Sequence, residues 1–180
     1  RLIQVDKGIL KTTSLASTQN YKGSLDVSWD AKELEEQQIV TDYILNNLKP
    51  ILSKIETKGP YTVKAGSLLH LKTDITSKIV SENTVEQLIK KLHPTPAVCG
   101  MPKKNAKDFI LEYEHYNRKY YTGFLGELNI DSSTNLFVNL RCMEVNTNVV
   151  SIYVGGGITA SSISSKEWDE TVFKASVMKT

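Results

Sequence analysis

The stretch GFLGELNIDSSTNLFVNLRCMEVNTNVVSIYVGGG, residues 123–157, decides the fold class. Short runs rich in apolar and β-branched residues, Gly123 to Ile130, Asn135 to Val145 and Asn148 to Val154, read as strands. Their joints, Asp131-Ser132-Ser133-Thr134 and Asn146-Thr147, are polar and suit tight turns. The spacing predicts an antiparallel meander over residues 123–154.

Working outward, Arg1 to Asp6 and Gly8 to Ser14 read as two more short strands around an Asp6-Lys7-Gly8 turn, followed by a polar loop from Ser17 to about Val27. Asp30 and Glu33 have capping-box spacing. Beyond them Leu34, Val40, Ile44, Leu48, Ile51 and Ile55 recur on one helical face, with a kink expected at Pro50 and an end at Gly59-Pro60. Tyr61 to Ala65 and Leu68 to Ile75 have strand character, and Asn83 with Glu86 opens a short helix through Leu92. The prolines of His93-Pro94-Thr95-Pro96 must break it. A helix is expected from about Lys103 to Tyr121, burying Ala106, Phe109, Ile110 and Tyr113, and a last one capped by Ser164 with Glu167 at its third position. Hairpins without strict β-α-β alternation give an α+β class with a largely antiparallel sheet and packed helices.

The 180 residues suffice for one well-buried domain. With 40% hydrophobic and 23% charged residues, the composition is that of an ordinary globular protein. A net charge of +2, with basic and acidic residues interspersed, argues against nucleic-acid binding. No apolar run reaches the roughly 20 residues of a membrane span. Cys99 and Cys142 follow no metal or disulfide spacing, so a reducing, cytoplasmic setting is expected. The chain opens at Arg1 within an apolar, strand-like stretch, which suggests a fragment.

Three groups could carry chemistry. Glu33 and Glu36 share a face of the first long helix, and Glu167 and Glu170 repeat that spacing on the last, with Lys174 one turn further. On spacing alone such pairs are more often those of a solvated helix surface. If both pairs faced one another, their repulsion would call for a cation, and an all-oxygen donor set favours magnesium. Arg141, among the apolar Phe137, Val138, Leu140 and Met143, either pairs with a structural carboxylate or offers its fork to a ligand carboxylate. Gly155-Gly156-Gly157 after a strand is either a tight bend or a place where the backbone approaches a ligand. Of the three histidines, His115 reads as a surface residue, and spacing leaves His70 and His93 undecided.

Together these pieces resemble the isochorismate synthases among chorismate-utilising enzymes. Leu92-His93-Pro94-Thr95-Pro96-Ala97-Val98-Cys99-Gly100-Met101-Pro102 resembles their proline loop. Glu114, Arg118, Tyr121 and Gly123 resemble E-x-x-x-R-x-x-Y-x-G, and Leu140-Arg141-Cys142 resembles the I-R-C/S element. Tyr153 to Ile158 resembles Y-A-G-A-G-I, and Glu167-Trp168-Asp169-Glu170-Thr171 resembles E-W-x-E-T. Each motif is weak singly; the ordered series covers nearly the whole chain.

The resemblance implies the C-terminal half of that fold, residues 1–180 being a partial chorismate-binding domain, and a magnesium-dependent interconversion of chorismate and isochorismate in menaquinone or siderophore biosynthesis. It implies Mg²⁺ on Glu36 and Glu170, with Glu33 and Glu167 in support. It places the enolpyruvyl carboxylate on Tyr121, Arg141 and the amides of Gly155, Gly156 and Gly157, with Lys174 nearby. His70, Thr18 and Ala97 line the substrate. The general-base lysine and general-acid glutamate would lie upstream of Arg1, so no catalytic residue is assigned within the chain and little turnover is expected of it alone. Such a half would also expose an apolar surface and self-associate. A salicylate synthase fragment and a non-catalytic chorismate-binding or assembly protein are the alternatives. Three positions depart from the family pattern: Ser17 stands for glycine in L-A-G-T, Gln37 for a frequent histidine, and Ser77 for a common glycine.

Overall fold

The computed structural model describes residues 1–79, 83–160, 162–176 and 178; of Asn83 only the backbone is described, so its expected capping side chain lies outside them. The chain divides into two compact units. The first is Arg1–Ala97 with Gly126–Phe137, the second Val98–Leu125 with Val138–Thr180.

The first unit is built on strands β1 (Ile3–Asp6), β2 (Ile9–Asn20), β3 (Ile55–Ala65) and β4 (Leu68–Lys78), with helices α1 (Ala31–Leu48) and α2 (Asn83–Leu92). These strands, with β5 (Phe124–Ile130) and β6 (Ser133–Val138), form a six-stranded sheet in the order β3-β4-β2-β1-β6-β5. The expected α+β class with a largely antiparallel sheet is what the chain forms. Strand register shows which face is dry: Val5 pairs with Leu10, Ile3 with Leu136 and Ser14 with Thr73, and all six side chains are buried. Pairing partners point to the same face of a sheet, and α1 covers this one. Gln37 and Thr41 of α1 bond to Ser14 and Thr73, and Ile44, Leu48, Leu88 and Leu92 complete the core. Asp30 caps α1 in a true capping box with Glu33.

Several expected boundaries move. Helix α1 ends at Leu48, before Pro50 rather than kinking there, and Ile55 opens β3, which carries Gly59-Pro60 at an irregularity between Lys58 and Tyr61. Strand β2 runs to Asn20, through residues expected in a loop. The meander is divided. β5 and β6 meet at Asp131 and Ser132, both with positive φ (48° and 61°), the backbone of a hairpin turn that matches strand twist. The strand expected to run on to Val145 stops at Val138, and Arg141 sits at φ 49°, left-handed backbone outside regular strand geometry. The last two strands, β7 (Cys142–Val145) and β8 (Val150–Tyr153), form a separate two-stranded sheet.

The second unit carries that small sheet, α3 (Lys103–Tyr113) and α4 (Ser164–Ser176). Helix α3 stops eight residues before the expected Tyr121. Asn117 accepts the Lys119 amide at 2.8 Å, an Asx-type turn, and Lys119 and Thr122 have positive φ, so the backbone has left the helix. Nor does α3 bury its apolar residues: Phe109 is 62% exposed and stacks only on Tyr113. Among the described residues no helix is long and apolar enough to cross a membrane.

Candidate functional site

In the first unit the implied residues gather around a bulge in β2. Pairing with β4 shifts register between Ala16 and Gln19, so that Ser17 and Thr18 stand against the single residue His70, one residue extra. Ser17 has φ 58°, which glycine takes at no steric cost, and this is a physical reason for glycine in the family pattern. Here the added side chain turns to α1, where Ser17 Oγ donates to the Glu33 carbonyl at 2.7 Å. The buried His70 meets the bulge through Nδ1, 2.9 Å from the Ser17 carbonyl and 3.2 Å from Thr18 Oγ1. A carbonyl only accepts, so Nδ1 carries the proton in this contact. Ala97 is exposed at the end of the proline loop.

The two glutamates of α1 differ. Glu33 Oε2 accepts the Asp30 amide at 2.9 Å, and both its oxygens accept from Gln19 Nε2, at 3.2 and 2.9 Å. Glu36, one turn on, is only bridged by Lys32 at 3.6 Å. Between them and the sheet lies Gln37, whose Nε2 reaches Ser14 Oγ (2.8 Å) and Thr73 Oγ1 (3.1 Å) while its buried Oε1 has no partner among the described residues. The third departure, Ser77, is buried and donates to the Lys54 carbonyl at 2.5 Å, tying the start of β3.

In the second unit the implied residues also converge. Tyr121 is buried, and burial raises its phenol above the usual value, so the hydroxyl stays protonated and able to donate. A Cβ on Gly155 would lie 2.8 Å from that hydroxyl, and one on Gly156 would lie 3.5 Å from Glu167 Oε2. Gly155 is therefore a close approach of backbone to the Tyr121 side chain, Gly156 an ordinary contact with Glu167, and a Cβ on Gly157 would meet nothing within 4 Å. Lys174 Nζ joins the group, donating to the Gly155 carbonyl at 3.0 Å and pairing with Glu170 at 2.6 Å. Glu167 Oε1 accepts from Ser162 Oγ at 2.6 Å. The cap expected from Ser164 is displaced, since Ser164 is the first helical residue and the hydroxyl engaging Glu167 is that of Ser162. Gly157 and Arg141 are exposed.

Arg118 is the residue whose role spacing alone concealed. Its guanidinium pairs with Glu114, reaches the Val98 carbonyl (3.0 Å) and Thr122 Oγ1 (3.2 Å), and lies 5.9 Å from the centre of the Tyr121 ring. The Glu114 hydrogen bond raises its pKa further, so it is a permanent cation holding the turn that carries Tyr121. A cavity of about 450 Å³ opens beside this turn, walled by Tyr121, Phe124, Met143, Cys142 and Tyr153, with Lys119 and Glu144 at hand. Arg141 and Gly155 to Gly157 are not among the residues that line it, though Gly123 is. His115 is exposed, as its sequence context suggested.

Within neither unit, among the described residues, do three His, Cys, Asp or Glu side chains gather as a metal cluster. The implied ligands are divided between units, Glu33 and Glu36 in the first and Glu167 and Glu170 in the second. Their chemistry fits magnesium: all donors are carboxylate oxygens, and Glu36 and Glu170 are each paired with a lysine ammonium that a cation can replace.

The family model described as "Chorismate binding enzyme" matches residues 1–180. The chain belongs to that family. Among its curated relatives is the isochorismate synthase DhbC of Bacillus subtilis, 32% identical over 150 residues, covering 82% of this chain and 38% of that protein. The isochorismate synthase MenF of the same organism is 30% identical over 187 residues, 99% of this chain and 40% of the relative. Among solved structures, the menaquinone-specific isochorismate synthase MenF of Escherichia coli superposes with a TM-score of 0.86 at 25% identity, covering 99% of this chain and 43% of that one. The chain thus spans about two fifths of the length of these relatives. The resemblance read from the motif series is borne out at the level of the family.

Proposed function

We propose that this chain holds chorismate for magnesium-dependent conversion to isochorismate, as part of an isochorismate synthase of menaquinone or siderophore biosynthesis acting in the cytoplasm. The observation that carries the reading is the convergence of the Tyr121 hydroxyl, Gly155, Lys174 and Glu170 in one unit. A protonated phenol, a backbone without side chains and a lysine suit a carboxylate, and the enolpyruvyl carboxylate is the one assigned to them, with the exposed Arg141 guanidinium supplying a bidentate donor. His70, Thr18 and Ala97 line the ring. Glu36 and Glu170 would hold magnesium, which would supply Lewis-acid chemistry for the ring carboxylate.

Hydroxyl migration also needs a base to activate water and an acid to protonate the leaving hydroxyl. No residue of this chain is assigned either role. The salicylate synthase alternative draws no support from the relatives described, which are named isochorismate synthases. The test is calorimetric titration with chorismate in excess Mg²⁺. Binding is expected, weakened about tenfold by Arg141→Ala through loss of a charge-assisted bidentate contact and less by Tyr121→Phe. No saturable binding by the unaltered chain would remove the reading.

A further inference from the structure

We propose that the cavity beside Tyr121 is a second binding site, for a flat aromatic monocarboxylate, separate from the carboxylate-binding group described above. The site lies wholly within the second unit, and Arg141, Gly155, Lys174 and Glu170 are not among the residues that wall it. Tyr121 is shared: its hydroxyl lies against Gly155, while the residue also walls the cavity.

Hydrogen bonds frame the cavity and keep it open without a guest. Asn139 is tied to the 118–123 turn three times. Its Nδ2 donates to the Tyr120 carbonyl at 2.9 Å, its amide to the Gly123 carbonyl at 2.8 Å, and its carbonyl accepts the Thr122 amide at 2.9 Å. Arg118 fastens the same turn to Glu114 and to the Val98 carbonyl. A frame already paired has little left to order when a ligand enters. The volume of about 450 Å³ suits a small organic molecule.

The walls select the body of the ligand. Tyr121 and Tyr153 stack with ring centres 5.7 Å apart, Phe124 adds a third ring, and Cys142 and Met143 supply polarisable sulfur. Ring faces and sulfur favour an aromatic guest over a saturated one. The charges select its polar end. Arg118, Lys119 and Glu144 are the charged residues of the wall, two cations against one carboxylate, so the lining favours a single negative charge. Both Glu144 oxygens are engaged, by Lys119 at 2.5 and 2.6 Å and by the Tyr153 hydroxyl at 3.2 Å. An ammonium carries three donors, so Lys119 keeps one for a ligand beyond the two that Glu144 accepts.

The experiment titrates 2-naphthoate and its uncharged analogue 2-naphthylmethanol into the full chain by calorimetry, with thermal midpoints recorded for every variant. Saturable binding of 2-naphthoate is expected, with 2-naphthylmethanol weaker by about tenfold or more for want of a charge-assisted bond. Lys119→Met should weaken the acid to the level of the alcohol. Met143→Trp, which fills the cavity, should abolish binding of both, and Arg141→Ala should leave 2-naphthoate affinity unchanged. A second measurement needs no variant: saturating 2-naphthoate should slow alkylation of the Cys142 thiol by iodoacetamide and leave Cys99, which does not wall the cavity, as reactive as before. Binding that survives in folded Met143→Trp but is lost in Arg141→Ala would place the acid on the substrate's carboxylate group and overturn the proposal. So would an unprotected Cys142 or the lack of any saturable binding. None of these results decides whether chorismate binds, so the proposed function stands or falls separately.

Discussion

The first unit buries Leu10, Leu48, Leu69, Ile75, Leu88 and Leu92 almost completely between one face of the sheet and two helices. In the second unit, among the described residues, Tyr121 is the one large hydrophobic side chain that reaches burial, while Phe109, Trp168 and Val145 stand open. The contrast separates two jobs. A dry aliphatic core gives the first unit cooperative stability. The ordered features of the second are polar and centred on Tyr121, Arg118, Lys174 and the glycine run. Substitutions in the two units should therefore fail differently, one in stability and the other in ligand affinity.

The largest expected effect is on the core. Leu69→Ala removes a fully buried side chain on the α1 face of β4 and should cost about 2–5 kcal/mol of unfolding free energy, read by denaturant titration. A cost below ~1 kcal/mol would mean that this core is not the source of stability. Gly155→Ala in the second unit should do the reverse. Its methyl meets the Tyr121 hydroxyl, so chorismate affinity should fall by roughly tenfold, worth about 1.4 kcal/mol, while thermal stability changes little. Equal loss of stability and affinity would erase the distinction.

A smaller effect comes from pH. Asp74 is subject first to burial, which alone would raise its pKa, but hydrogen bonds from Tyr61 and Lys72 prevail and hold it below 3.8. The folded-state pKa is depressed, so its contribution is present above the unfolded value and is lost as pH falls through the folded one. The pair is partly solvated, so the contribution is modest. Asp74→Asn should be the less stable protein near neutrality, and the gap in thermal midpoint should close as pH is taken below 3.8. Smallest of all, Trp168→Ala on the outside of α4 should change stability by no more than about 0.5 kcal/mol.

How far the sequence could be read follows the same division. The Asp30-Glu33 capping box, the strand pairs and the hairpin at residues 131–132 depend on local chemistry, and local chemistry is written in order along the chain. Of the buried stripe of α1, Ile44 and Leu48 were legible, whereas Gln37 and Thr41 look like solvated residues until Ser14 and Thr73 are seen beneath them. The stop of α3 and the break at Arg141 were missed for a related reason: left-handed backbone at Lys119, Thr122 and Arg141 carries no glycine to announce it. At the candidate site, the motif residues Tyr121, Gly155, Gly156, Lys174, Glu167 and Glu170 could be named in advance. Gln19 and Ser162 could not, since contacts at separations of fourteen and five residues leave no periodic trace.

The central claim is that chorismate is held through a magnesium ion. It is tested most directly by measuring chorismate affinity in saturating Mg²⁺ and again in excess chelator. Coupling is reciprocal, so the Mg²⁺ affinity should rise with chorismate by the same factor. The account predicts at least about a tenfold loss of chorismate affinity without the ion, or ~1.4 kcal/mol of coupling, and no such difference in Glu170→Gln. Equal affinity for chorismate with and without Mg²⁺ in the unaltered chain would contradict it.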